Sequence, residues 1–441
     1  MKYKESKYNI RLKEAGYLDG MDVSEDLVYN TMSGQLGVFP RTVNLINPPT
    51  KAIKNHFVIP ENVDETDNYI NFSHNFINDN NPQSVILTVA TTFRCNYHCS
   101  YCFEQCDRTI DLSESTLTDY IHYIKKEIDE NPNLKYFRII WFGGEPLLRF
   151  DVIERISDFV IPYCDEKGIK YSAGVISNGY LLTKEVSAKL NNLRIKSIQI
   201  TFDGFEETYN KYRKPPRNAY ETVLNNIKNS VIPVIIRLHV LRDNRDEIEE
   251  LAKFFDKMAS SSNVIKEIWI HQVWDYTDKQ DYILSKVEWI EYRNRVSMIS
   301  DRIRKNLLSN DIYKPTYRSC RYVSKRNVIL APDGYLYKCD NNMGLQHTAV
   351  GTIKDGIWAD CNNYTNYVSL SIDDECRNCI LLPVCNGGSC RYETILYMEK
   401  NCDHMKNRFK QNIQFLVKDY IEQNQRPKHS LLPLRGENGS H

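Results

Sequence analysis

The hydrophobic rhythm of the chain changes at Ser84. Before it, short mixed segments alternate with turns. Asp26–Pro40 reads as a hairpin around Ser33-Gly34, and Arg41–Ile46 and Asn71–Asp79 read as short helices. Residues 1–83 are therefore expected to form a small α+β module. From Ser84 onward, apolar β-branched runs recur at Ser84–Phe93, Phe137–Trp141, Tyr171–Ile176, Lys196–Phe202, Val231–Val240 and Ile265–Val273. Each is short enough to be a buried strand. Amphipathic stretches lie between them, at Ser113–Asp129, Val152–Tyr163, Thr183–Leu193, Ala219–Asn229 and Asp246–Met258. The alternation predicts a parallel sheet of βα units over residues 84–310, and leaves an open sheet and a barrel equally compatible. A helix over Val287–Leu308 ends that unit.

Between Cys320 and Cys402 regular patterning fades and cysteines accumulate. Such a segment, here residues 311–405, suits a small module in which metal replaces a hydrophobic core. Val328–Leu336, turning at Asp333-Gly334, reads as a hairpin. Residues 406–441 divide into a terminal helix, Lys406–Gln423, and a flexible tail.

Composition narrows the classes. Basic and acidic residues both number 57, so no charge excess favours nucleic acid or an anionic membrane as partner. No apolar stretch is long enough to span a bilayer. The N-terminus lacks a signal-peptide core, so a cytoplasmic location is expected. In a reducing compartment, thirteen cysteines point to metal ligands rather than disulfides.

The densest chemistry is Cys95-x₃-Cys99-x₂-Cys102 at the end of the first strand. In α/β sheets, ligands gather at that edge. Three thiolates are one short of the four that fully ligate a [4Fe–4S] cluster, which leaves one iron open for chemistry. Zinc, completed by His98 or Cys106, is the plainer alternative. The next strands end in Gly143-Gly144-Glu145-Pro146, Ser177-Asn178-Gly179 and Asp203-Gly204. Glycines there admit a ligand close to the backbone, and Glu145, Asn178 and Asp203 offer polar contacts. Strand-to-helix loops use the same residues without any ligand.

With Phe103 after the triad, GGEP, SNG and the stretch from Phe202 to Lys214, residues Ser84–Leu308 resemble the radical S-adenosylmethionine (radical SAM) superfamily. The resemblance implies a partial (β/α)₆ barrel with a [4Fe–4S] cluster on Cys95, Cys99 and Cys102. It implies S-adenosylmethionine on the open iron and a 5′-deoxyadenosyl radical as its product. Gly143, Gly144 and Glu145 match the segment holding the methionine amino group, with Ser177 and Asp203 beside the cofactor. Tyr101 matches the aromatic flanking the adenine, Asn178 a ribose contact, and Arg213 the cation facing the methionine carboxylate. Cys106 and Cys164 are expected to be unligated.

The cysteine-rich region resembles the SPASM extension of peptide-modifying radical SAM enzymes, which implies two auxiliary [4Fe–4S] clusters and three in all. Cys376, Cys379, Cys385 and Cys402 match the ligands of the second. Cys320, Cys339 and Cys390 match the first, with either Cys361 or an open iron in the fourth place. Two departures are visible. Asn386 to Ser389 make four residues where that family has three, and no cysteine between Cys164 and Cys320 can serve. Asp340 matches a base proposed for sulfatase-maturing relatives.

The resemblance implies a peptide maturase with two partners: a precursor peptide, whose leader a winged-helix-like N-terminal module would bind, and an electron donor such as flavodoxin or ferredoxin. The product would be an intramolecular thioether or carbon–carbon crosslink. A sulfatase-maturase-like enzyme making formylglycine is the second reading, and a non-catalytic iron–sulfur electron carrier the third. A carrier has no use for GGEP, SNG and Arg213.

Overall fold

A computed structural model describes residues 2–425 apart from 20, 22, 24, 105, 274–281, 310–313, 370–371, 389, 393–394, 396–399 and 401. The expected flexible tail lies, from residue 426, outside the described residues.

The N-terminal segment contains β1 (Tyr3–Glu5), β2 (Asn9–Arg11), β3 (Leu27–Asn30), β4 (Gln35–Val38), α1 (Thr50–Lys54), β5 (Val58–Pro60) and α2 (Glu65–Ile77). β2, β3 and β4 form an antiparallel sheet, and β1 pairs with β5. The expected hairpin is β3–β4, with Gly34 at φ +70° in its turn. Arg41–Ile46 is not helical: it forms turns and bends, and the helix begins only after Pro49. Proline's fixed φ suits a helix entrance and not an interior. α2 starts earlier than expected because the Asp64 side chain accepts from the Asp67 N–H at 2.9 Å and caps it.

The central unit runs β6 (Ser84–Ala90), α3 (Glu114–Asp129), β7 (Tyr136–Phe142), α4 (Phe150–Glu166), β8 (Lys170–Ser177), α5 (Lys184–Asn192), β9 (Ile195–Phe202), α6 (Glu206–Arg213), α7 (Ala219–Asn229), β10 (Val234–Val240), α8 (Arg245–Ser261) and β11 (Ile265–Gln272). These six strands lie side by side in chain order, all parallel. β6 pairs on its other edge with β12 (Ile329–Leu330) and not with β11, so the barrel is partial. Val85, Leu87 and Val89 of β6 and Phe137, Ile139 and Trp141 of β7 are buried against Leu117, Ile124 and Ile153 of the helices. The alternate residues Ile86, Arg138 and Ile140 line an inner cavity. Parallel strands covered by apolar layers on both faces read as continuous hydrophobic runs. The alternation here marks a face that opens on space.

The helix expected over Val287–Leu308 is two helices, α9 (Lys286–Ser297) and α10 (Asp301–Ser309). The break falls where Ser300 caps α10, its side chain accepting from the Ile303 N–H at 3.3 Å. The sheet then continues from β12 through β13 (Tyr335–Tyr337), β14 (Gly351–Thr352) and β15 (Gly356–Ile357). The expected hairpin is β12–β13. Helices α11 (Asn362–Val368), α12 (Asp374–Asn378) and α13 (Leu382–Cys385) precede the terminal helix Cys402–Gln425. Ile10, Leu27 and Tyr29 share a core with Val384 of α13 and Phe409 and Ile413 of the terminal helix. The first and last segments of the chain thus pack together beside the barrel. No helix among the described residues is long and apolar enough to cross a membrane.

Candidate active site

The loop after β6 carries Cys95, Cys99 and Cys102, all partly buried. It is strapped to the end of α6: the His98 N–H donates to the Arg213 carbonyl at 3.2 Å and the Ser100 N–H to the Tyr212 carbonyl at 2.8 Å. Burial pushes the Cys95 thiol up to about 12 and the Cys102 thiol up to about 11. Thiols so placed are poor free nucleophiles, whereas a bound metal would deprotonate them.

The glycine pair meets this loop backbone to backbone. The Gly144 N–H donates to the Thr92 carbonyl at 3.0 Å and the Glu145 N–H to the Arg94 carbonyl at 2.9 Å. A Cβ at Gly143 would strike the Thr92 oxygen, and one at Gly144 the oxygens of Phe93 and Arg94. Gly143 also adopts φ +112°. The two glycines are therefore what lets strand β7 end directly against the cysteine loop. Glu145 is fully buried and accepts from Ser177 Oγ at 2.8 Å, the Asn178 N–H at 2.8 Å and the Leu147 N–H at 3.1 Å. It ties the ends of β7 and β8 together. Asn178 Nδ2 donates to Asn96 Oδ1 at 2.7 Å and lies 4.0 Å from Cys95 Sγ.

Asp203, at the end of β9, is buried and accepts from the Tyr101 hydroxyl at 2.5 Å. Arg213 Nη1 lies 3.3 Å from Asp203, and the guanidinium packs over the rings of Tyr97 and Tyr209, each 5.4 Å away. Tyr209 and Arg213 are four residues apart on one face of α6. Although burial raises the Asp203 carboxyl, His239, with Nδ1 at 3.4 Å, and Arg213 hold it below its ordinary value. Tyr101, Asp203 and Arg213 thus form one network beside Cys99. Sequence reading missed Tyr97, Tyr209 and His239. The aromatic spacing Tyr97, Tyr101 and the Tyr209–Arg213 helical repeat were the available signals.

The later cysteines fall into groups. Cys376, Cys379, Cys385 and Cys402 line one cavity, together with Gly387, Gly388 and Lys400. Lys400 Nζ donates to Cys376 Sγ at 3.1 Å. Burial, with the other three thiols adding to it, pushes Cys385 up to about 11. Cys339 stands within electrostatic reach of Cys320 and Cys390, and Tyr367 of α11 reaches the same group. Cys361 sits at the opposite end of α11, where its Sγ accepts from the Tyr364 N–H at 3.4 Å. It lies six positions before Tyr367, about 9 Å along the axis. Cys106 packs against Gly344, and Cys164 is buried in the helix layer. Asp340 accepts from the Tyr322 hydroxyl at 2.6 Å and lies 3.3 Å from Arg321 Nη2.

These residues fit the groups they were expected to hold. Among the described residues no three His, Cys, Asp or Glu side chains converge on one point as a single zinc ion requires. The four-thiol cavity has the donor set of a larger cluster. Beside the triad, the glycine cradle leaves the backbone open, and Arg213 Nε is buried without a partner.

The profile of the radical SAM superfamily matches residues 89–255. The chain is 26% identical over 394 residues to the radical SAM cyclopropyl synthase TigE of Paramaledivibacter caminithermalis, covering 79% of each protein. It is 34% identical over 145 residues to the GTP 3′,8-cyclase of Aliarcobacter butzleri, covering 32% of this chain and 41% of that one. The fold is similar to that of anSMEcpe solved with bound AdoMet and a Cp18Cys peptide, at TM-score 0.62 and 18% identity, covering 77% of this chain and 99% of that chain. It is also similar to that of Streptococcus suis SuiB bound to S-adenosylmethionine, at TM-score 0.51 and 17% identity, covering 73% and 75%. The profile match begins within β6, runs through the cysteine loop, the glycine cradle and the Asp203–Arg213 network, and ends in α8: residues 89–255 are a radical SAM domain.

Proposed function

We propose that this protein is a peptide maturase that forms an intramolecular thioether or carbon–carbon crosslink in a ribosomally made precursor. The observation that carries this reading is the second set of thiols. A site that only makes a radical needs Cys95, Cys99 and Cys102, yet Cys376, Cys379, Cys385 and Cys402 line a separate cavity. A [4Fe–4S] cluster with S-adenosylmethionine supplies, when bound at the triad, the 5′-deoxyadenosyl radical. The chain's own residues do the rest. Tyr101, Asn178 and Arg213 position the nucleoside and methionine ends, with Glu145 and Ser177 holding the turn that presents them. One hydrogen atom of the substrate would go to the 5′-deoxyadenosyl radical. Asp340, held by Tyr322 and Arg321, accepts the second hydrogen as a proton, and the remaining electron would pass to a cluster held by the auxiliary thiols. The similarity to TigE, named for a bond-forming reaction, extends over 79% of both chains and supports the reading. A peptide is bound beside AdoMet in anSMEcpe, whose fold this chain shares.

The N-terminal module is proposed to hold the leader peptide. β4 is an edge strand with Val38 44% exposed, a setting for strand addition. Flavodoxin or ferredoxin would deliver the electrons. The test is anaerobic reaction with a precursor peptide, read by mass spectrometry. Loss of two hydrogens from the peptide is expected, and Asp340→Asn should slow it about a hundredfold while leaving 5′-deoxyadenosine release in place. An unchanged peptide mass overturns the crosslinking reading.

Iron analysis tests the auxiliary sites. Three [4Fe–4S] clusters require about twelve irons per chain. Cys339→Ala should lose about four of them, and Cys361→Ala none, because Cys361 caps α11 away from the Cys320–Cys339–Cys390 group. Equal losses in both variants would restore Cys361 as the fourth ligand.

A further inference from the structure

Inside the barrel lies a cavity of about 300 Å³. That is room for a ligand of several side chains. Eleven residues line it; Arg138 and Arg321 are the charged ones, and none is acidic. Arg321 already faces Asp340 at 3.3 Å. Arg138 has no hydrogen-bond or ion-pair partner among the described residues; its side chain remains open to solvent at the cavity, and partial desolvation by the cavity wall, then the charge of Arg321, lowers its pKa. Arg138 sits on β7 opposite Ile86 of β6, on the face that lines the lumen. Its Nη2 lies in van der Waals range of residue 174 of β8, where a Cβ would come to 3.4 Å. Ser197 and Gln199 add uncharged hydrogen-bonding groups to the same wall. Glu267, on β11 four strands away from β7, accepts from Trp269 Nε1 at 2.7 Å. A lumen holding an unanswered cation favours an anion, and a planar guanidinium favours a carboxylate gripped by two parallel bonds.

We propose that the substrate segment occupying the barrel carries a carboxylate, and that Arg138 receives it. This rests on the peptide reading above and deepens it: the precursor presents an Asp or Glu side chain, or its C-terminal carboxylate, next to the residue that reacts. Arg138 is a binding residue for that anchor and takes no part in radical formation.

Calorimetry on the anaerobically reconstituted full-length protein with S-adenosylmethionine tests it with four probes: Ac-Gly-Asp-Gly-amide, its Asn counterpart, Ac-Gly-Gly-Gly with a free C-terminus, and glutarate. The Asp peptide should bind about tenfold more tightly than the Asn peptide. Tighter binding of Ac-Gly-Gly-Gly acid than of the Asp peptide would assign the anchor to the chain end. Arg138→Gln should abolish the preference, and Arg138→Lys should keep part of it with far-UV circular dichroism unchanged. Equal affinity for the Asp and Asn peptides, or an undiminished preference in Arg138→Gln, overturns the proposal. Arg138-dependent binding of glutarate with no binding of any peptide leaves the carboxylate site standing and removes the peptide reading. Peptide binding without charge preference does the reverse. No binding of any probe at millimolar concentration overturns the proposal.

Discussion

Cys99→Ala should release no 5′-deoxyadenosine above background with dithionite and S-adenosylmethionine, and should lose about four irons per chain. The expectation follows from what surrounds the triad. Cys99 is the member nearest the Arg213–Asp203 network, and the loop on either side of it is pinned to α6 through the His98 and Ser100 amides. Cys106 is packed against Gly344, and the His98 side chain is exposed. Two thiols hold a cluster too weakly to survive, so the effect is all or none rather than graded. Retained 5′-deoxyadenosine release would remove Cys99 from the ligand set, and full iron content with no release would give it a different role.

Gly144→Ala is the second large effect, and it needs no cofactor to be seen. The added methyl would collide with the carbonyl oxygens of Phe93 and Arg94. Those atoms belong to backbone already held by the Glu145 N–H, so neither partner yields cheaply. A loss of about 3 kcal/mol in unfolding free energy is expected, read from the denaturant midpoint at unchanged m-value. The displaced loop should also lower iron loading at the triad. Gly168→Ala is the control: it has nothing within 4 Å and only its φ of +68° to strain, so a loss of about 1 kcal/mol with full iron loading is expected. Equal losses in the two variants would mean that close backbone approach is not what glycine 144 provides.

Element by element, local pattern carried the central unit well. The six strands and the helices α3, α4, α5, α7 and α8 appear within a few residues of their expected bounds, because each strand alternates or runs apolar and each helix keeps one buried face. Elements whose signal is not hydrophobic escaped. α6 has eight residues, mostly polar, and buries only Tyr209 and Arg213, so no apolar period announces it. The break between α9 and α10 is a capping event at Ser300 inside an otherwise continuous pattern. Arg41–Ile46 has helical spacing but lies ahead of Pro49, which sets where the helix starts.

The candidate site divides along the same line. The triad, Gly143-Gly144-Glu145, Ser177-Asn178 and Asp203 are legible because each stands at a strand's C-terminal end, a place that chain order alone predicts. Their chemical types and spacings are properties of sequence, and so is the count of thiols available to metal. Which groups meet is not. Arg213 finds Asp203 and Tyr101 through a helix that local pattern did not reveal, Cys402 joins Cys376, Cys379 and Cys385 across the end of the chain, and Cys361 caps α11. Arg138 is read from the chain as a charged residue on a strand. Only closure of the six strands into a partial barrel turns it inward, because the side-chain period of a strand is two and the curvature of the sheet decides which of its faces becomes the lumen.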